Sequence, residues 1–276
     1  MQEIINYFET ISATHRGILL VSGITLFWLI ENSFPLFKFK YNKWQHASIN
    51  IFFTITTVIL NFGMAFLLLM AADFVTIKNF VILHWIPEVS LFYYTIIGLL
   101  LLDFFGAYLA HYVEHRFPVL WRFHLIHHTD TWIDTTSANR HHPGESVIRF
   151  IFTIVGVLIV GAPMWMVFMY QSLSIVFSQF IHANILLPKK VDKILSYIII
   201  SPDMHKIHHH YKLPYTDSNY GNIFSVWDRL FGTFSYLERE NIIYGVDTHM
   251  KPEENNDLKN LLQIPFQSKR SHLDKS

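Results

Sequence analysis

Four stretches of the chain stay apolar for about the 20 residues that a helix needs to cross a bilayer core of ~30 Å. The first runs from about Gly17 to Phe37, with Glu31, Asn32 and Pro35 near its end. The second, Ser48 to about Phe74, holds no Lys, Arg or Glu, and its one acid, Asp73, sits at the very end. The third, Leu91 to His111, is apolar apart from Asp103. The fourth, Val147 to Ile185, is too long for one crossing and is interrupted by Gly156, Gly161, Ala162 and Pro163. That pattern predicts two helices folded as a hairpin. The short run Val81 to Pro87, with Trp85, reads as an interfacial piece rather than a span. The expected fold is therefore all-α and integral to a membrane, with about four transmembrane helices, two plus a hairpin-flanked pair.

The first 16 residues are polar-mixed, and no small-residue cleavage site follows the first apolar run, so that run is expected to stay as a span. Lys38, Lys40 and Lys43 follow it, whereas the loop after the second span has only Lys78. The positive-inside rule then puts residues 38–47 in the cytoplasm and 75–90 outside. Residues 112–146 and 188–276 follow onto the cytoplasmic face, as a helical cap. No internal repeat or low-complexity tract is evident, and no retention or sorting signal is visible at Ser271 to Ser276. The tail after Val246 is polar and expected to be loosely ordered.

Composition narrows the chemistry. Of 276 residues, 51% are hydrophobic and only 15% charged, where about 25% is usual for a soluble globule. The formal net charge is zero, so no nucleic-acid partner is expected. There are no cysteines, which excludes disulfides, iron–sulfur clusters and thiolate zinc sites. A bound metal must use imidazole or carboxylate.

Imidazole is abundant. Seven of the 17 histidines fall within residues 111–142, where a uniform spread gives roughly two. Four more fall within 205–210. His111 and His115 form an i,i+4 pair, whose Cβ atoms lie about 5–6 Å apart on one helix face. Asp103 and Ala107 are expected on that same face, with Asp103 accepting from a ligand's second ring nitrogen. His124, His127 and His128 repeat the idea on one turn, and His205, His208 and His209 repeat it again. His142, in Arg140-His141-His142-Pro143-x-Glu145, and the isolated His182 complete ten candidate ligands. Ten imidazoles are too many for one ion and suit two. His141 and His210 stand beside stronger candidates. His15, His46, His84, His249 and His272 are expected as surface or interface residues. By ligand type alone zinc, iron, copper and nickel all remain open, because nitrogen-rich sites suit each of them.

These residues resemble a known family. His-x-x-x-His, then Leu120 to His128, Arg-His-His-Pro-x-Glu, and Ser-Pro-x-Met-His-x-x-His-His-His look like the fatty acid hydroxylase superfamily, which includes sterol desaturases. The segments Thr216 to Asn222 and Val226 to Thr233 match as well, so the resemblance covers about residues 90–236. It implies N-terminal transmembrane helices and loops over 1–90, a catalytic domain over 91–240, and a polar tail over 241–276. It also implies a di-iron oxygenase that hydroxylates or desaturates a lipid or sterol-like substrate, entering from the bilayer, with O2 as co-substrate. Carried over residue by residue, the ten histidines become the iron ligands, with Asp103, Glu145 and Asn184 around them. No haem, flavin or nicotinamide signature is evident, so electrons must come from a separate cytochrome b5-, ferredoxin- or flavoprotein-type donor. The rival classes are a histidine-rich membrane metal transporter, which should strew ligands across mid-bilayer, and a non-catalytic scaffold of the same fold, which should have lost core histidines. A four-span acyl-chain desaturase has similar histidine motifs, but Trp227 to Thr233 points away from it.

Overall fold

A computed structural model of the chain describes residues 1–77 and 81–270. Lys78, His272 and the segment Ser271 to Ser276, each used above, lie outside the described residues. An amphipathic helix α1 (Gln2–Glu9) precedes α2 (Ala13–Ser33), which starts where the Ser12 hydroxyl accepts from the His15 amide. Next come α3 (Lys43–Ile77), α4 (Leu91–Asp103) and α5 (Leu109–Arg116), the last two joined into one rod by a π turn at Phe104–Tyr108. Then follow α6 (Pro118–His128), α7 (Pro143–Val160) and α8 (Met164–His182). Short helices finish the chain: α9 (Lys189–Leu195), α10 (Pro202–His208), α11 (Val226–Leu230), α12 (Pro252–Asn255) and α13 (Leu258–Gln263). Among the described residues the only β pairing is three isolated bridges.

Among the described residues five helical rods are long and apolar enough to cross a membrane: α2, α3, the joined α4–α5, α7 and α8. The first three apolar stretches give one rod each and the fourth gives the expected hairpin of two, so the count is five where about four was expected. Their turn is set by Gly161, whose φ of +74° belongs to the left-handed region, and by Pro163, which cannot continue α7. A Cβ at Gly161 would also strike Val81 at 2.2 Å. Leu99, Leu102, Val157, Val160 and Met166 fill the space between the rods. Ile59, Phe62 and Met70 on α3 point outward and exposed, as a lipid-facing surface requires. The chain is an integral membrane protein.

The rods converge at one end. Glu31, near the end of α2, accepts from the amides of Thr135 and Asn184 and pairs with Lys43 at the start of α3. His46, one turn into α3, reaches Asp130 at 2.9 Å. The C-terminal ends of α5 and α8 and the start of α7 lie at that same end, so every dense histidine cluster does too.

Arg140 knots this end together. Its buried guanidinium donates to the Ile126 carbonyl on α6, to Asn50 on α3 and to the Asn255 carbonyl in the tail. The tail is more ordered than its polarity implied. Leu258, Leu261, Leu262 and Ile264 recur at helical spacing and pack with Val246 on Ile49, Phe53, Leu125 and Ile126.

Candidate metal centre

The two His-x-x-His-His triplets divide their side chains in the same way. On α6, His124 and His128 are i,i+4 neighbours and share one face, while His127 is turned about 100° away. On α10 and its cap, His205 and His209 share a face and His208 turns away. The two helices oppose each other, so each supplies two rings to one group and one ring to the other. His111, His115, His124, His128 and His208 form one group; His127, His182, His205 and His209 form the second. Within each group the ligand nitrogens lie within 4.8 Å of one another, and all nine residues are buried. The groups adjoin, with the His128 and His209 rings stacked at 4.7 Å.

Outward hydrogen bonds fix which nitrogen faces in. His111 Nδ1 lies 2.8 Å from the Tyr220 carbonyl, His208 Nδ1 2.7 Å from that of Ser218, and His182 Nδ1 2.7 Å from that of Ser178. A carbonyl only accepts, so these Nδ1 atoms carry the proton and each Nε2 presents a lone pair. Carboxylates do the same for His115, through Asp217 at 3.1 Å, and for His124, through Glu145 at 2.7 Å. The Nε2 atoms then face one another: His111 to His124 at 3.1 Å, His124 to His128 at 3.1 Å, His127 to His182 at 3.1 Å and His182 to His205 at 3.0 Å. Two lone pairs at that distance repel, and a cation between them turns the repulsion into ligation. The donor set fits two nitrogen-loving metal ions.

Burial first, then repulsion among neighbouring imidazoles, pushes His127, His128 and His205 well below the ordinary imidazole range. The rings are therefore neutral, the form that ligates metal.

The loop from Thr216 to Thr233 is built to aim these rings. Asp217, Ser218 and Tyr220 hold the outer nitrogens of His115, His208 and His111. Asn219, between them, has a left-handed φ of 55°, and its side chain donates to the carbonyls of Met204 and Ser235. Asp228 accepts from the amides of Tyr220 and Gly221 and from the Thr233 hydroxyl. Burial raises its carboxyl to about 6 against the pull of those bonds.

Three expected site residues go elsewhere. His142 is the N-cap of α7, its Nδ1 accepting from the Gly144 amide, and its Nε2 lies 3.3 Å from the Leu262 carbonyl. It joins neither group, because Pro143 starts the helix and directs the preceding residue to cap it. Asp103 does not meet a histidine either. The π turn after it adds a residue to the register, and its carboxylate accepts from the amides of Ile223 and Phe224 and from Tyr170. Asn184 exchanges hydrogen bonds with the backbone of Phe37. Glu145 does sit beside a ring of the first group, and it also receives His141 and Arg149. His141 stacks on His127 at 4.8 Å and forms with His124 and Glu145 a further potential ligand trio. His210 lies outside both groups and accepts from the Ile243 amide.

Sequence reasoning missed four partners. Asp217 had a signal, since it stands in the matched Thr216 to Asn222 segment. Arg149 had only its charge inside the fourth predicted stretch, and Glu114, just past the third, had no signal; the two pair at 2.7 Å behind His124. His46 was expected at a surface but is 1% exposed, held between Asp130 and Asp134. Burial alone would raise the Asp130 carboxyl, yet His46 and Arg140 hold it well below the usual carboxylate range.

Comparison with known proteins agrees with this geometry. A family model described as fatty acid hydroxylase matches residues 95–233, the region that holds both histidine groups and the loop that aims them. The chain is 26% identical over 151 residues to the ornithine lipid hydroxylase OlsE of Rhizobium tropici, covering 54% of this chain and 44% of that one. It is 30% identical over 153 residues to the alkylglycerol monooxygenase of Danio rerio, covering 54% and 32%. A cholesterol 25-hydroxylase-like protein of Danio rerio is 25% identical over 166 residues, covering 56% and 65%. The alignments thus span less than half the length of the first two relatives. No solved structure matches the chain.

Proposed function

Because the chain belongs to the fatty acid hydroxylase family, we propose that it is a di-iron oxygenase that hydroxylates a lipid of its host membrane. The observation that carries this reading is the pair of convergent Nε2 sets, interleaved through α6 and α10. His111, His115, His124, His128 and His208 would hold one iron, and His127, His182, His205 and His209 the other. Bound there, the irons supply the activation of O2 and the oxidation of an unactivated C–H bond. One oxygen atom enters the lipid as hydroxyl and the other leaves as water, with two electrons and two protons supplied from outside.

The protein's own residues keep nine rings neutral, aimed and dry. Asp217, Glu145 and the carbonyls of Ser178, Ser218 and Tyr220 fix the tautomers of five of them. The packed ends of five apolar rods exclude water and set the site beside the bilayer. Hydroxylation is preferred to desaturation, since the relatives are named as hydroxylases and a monooxygenase. The electrons come from a separate cytochrome b5-, ferredoxin- or flavoprotein-type donor. Lys38, Lys40 and Lys43, at the histidine end of α2 and α3, support a cytoplasmic side for that end.

The test is metal content and O2 uptake of purified protein beside a His127→Ala/His208→Ala double variant, which removes one ligand from each group. Iron binding with lipid- and reductant-dependent O2 uptake, both lost in the variant, supports the reading. Equal iron in both proteins, or none after anaerobic loading, sinks it and turns attention to transport or scaffolding.

A further inference from the structure

A cavity of roughly 480 Å³ opens beside the first histidine group, within the size range of ligand pockets. Its apolar lining comes from Pro118, Val119, Leu125, Leu213, Val246 and Ile264. Arg122, Lys269 and Arg270 line it too, with the carboxylates of Asp217 and Asp247. Asp217 is already bonded to His115. His115 of the first group lines the cavity directly, beside the Trp121 indole, whose ring lies 4.7 Å from that of His115 and 5.2 Å from that of His128.

The cavity begins where the joined α4–α5 rod ends at Arg116, and apolar side chains crowd its surroundings. Val119 is 68% exposed and Leu213 56%, and so are Phe117 and Phe266, chain neighbours of lining residues. Exposed apolar groups beside cations at the end of a membrane span make the environment of a lipid's head-to-tail junction. Arg122 is fixed by donating to the Gln267 carbonyl at 2.6 Å, and Arg270 by pairing with Glu254. Lys269 is exposed at the rim. The residues from Val246 to Arg270 lie beyond residues 95–233, which the family model matches.

We propose that this cavity seats a long-chain amphiphile by an anionic head group, carboxylate or phosphate, held at Arg122 and Lys269 with its chain along Val119 and Leu213. The assignment rests on the lipid hydroxylase reading and names the substrate class for it. The seated chain then lies against Trp121 and the His115 ring of the first group.

The test is binding, in nanodiscs of neutral lipid, of a dansyl-labelled long-chain carboxylic acid and its methyl ester, to metal-loaded and metal-stripped protein. The acid is expected to bind about tenfold tighter than the ester, as a charge-assisted contact predicts. Lys269→Glu should erase that preference without lowering thermal stability, and Val119→Trp should weaken both probes. Inorganic phosphate at millimolar concentration should not displace the acid. Equal affinity for acid and ester, a preference that survives Lys269→Glu, or displacement by free phosphate overturns the proposal. Binding needs no iron, so the two readings fail separately. Lost head-group preference with intact lipid-dependent O2 uptake removes only the substrate class. Intact preference without iron uptake removes only the oxygenase.

Discussion

His111 and His124 face each other Nε2 to Nε2 at 3.1 Å, while their opposite nitrogens are bonded to the Tyr220 carbonyl and to Glu145. Neither inner nitrogen has a proton to give, so the pair suits ligation of a cation and not a hydrogen bond. The same arrangement recurs between His182 and His127 at 3.1 Å, with the Ser178 carbonyl behind His182. Two such arrangements, joined through α6, make specific and separable demands on substitution.

Single ligand deletions should act on different irons. His124→Ala removes a ring from the five-membered group, and His127→Ala removes one from the group of four. Each variant is expected to lose one of two irons on anaerobic loading, and the pair of substitutions to lose both. Elemental analysis by mass spectrometry reads the ratio. Loss of both irons from either single variant would show that the groups do not fill independently.

His142→Ala should leave iron content at the wild-type level, because that ring caps α7 and touches neither group. Its cost should be to stability, about 0.5–2 kcal/mol for a lost cap. A thermal melt beside the metal assay separates the two roles, and a fall in iron would return His142 to the ligand set.

Asp217→Ala removes the acceptor behind His115 without touching a ring of the second group. Outer partners of metal-bound histidines are worth about 10–100-fold in metal affinity. Competition with a chelator should therefore release one iron early and the other at the wild-type concentration. Release of both together would contradict the division into two groups.

The spans and the histidine triplets were legible because each rests on a local period. An unbroken apolar run of about 20 residues is a span whatever surrounds it, and i, i+3, i+4 spacing places rings on known faces of a helix. What was not legible depended on contacts far along the chain. The partners of His111 and His208 are backbone carbonyls of residues 220 and 218, and a backbone carbonyl leaves no mark on sequence. Asp103 was rightly singled out as a carboxylate buried in a span. The π turn at Phe104–Tyr108 then redirected it to the amides of Ile223 and Phe224, so it braces the loop that aims three rings. His142 misled because the residue before a helix-starting proline caps, and capping turns its ring to the Gly144 amide and the Leu262 carbonyl, away from both groups. The order of the tail was hidden by its net polarity, although Leu258, Leu261 and Leu262 carry the helical period.

His249 should give the protein a measurable loss of stability in mild acid. Its ring is buried, with its Nδ1 2.8 Å from the Thr248 hydroxyl, and its carbonyl accepts from Asn255, whose own carbonyl receives Arg140. Burial lowers the imidazole from its ordinary 6.5 to about 4, and the charge of Arg270 adds to that. Between those values the unfolded chain takes a proton that the folded chain refuses. More protons bound in the unfolded state means that stability rises with pH, so the contribution is whole above 6.5 and is lost as pH falls toward 4. Below 4 both states are protonated and nothing more is lost from this group. His249→Gln has no such proton to take. The fall in melting temperature between about pH 7 and pH 5 should therefore be smaller in the variant than in the wild type, measured in the same detergent. Other buried histidines contribute equally to both proteins and cancel in the comparison. Identical falls would mean that His249 takes up its proton as readily in the fold as in the unfolded chain, and that the junction of tail and α3 tolerates a charge there.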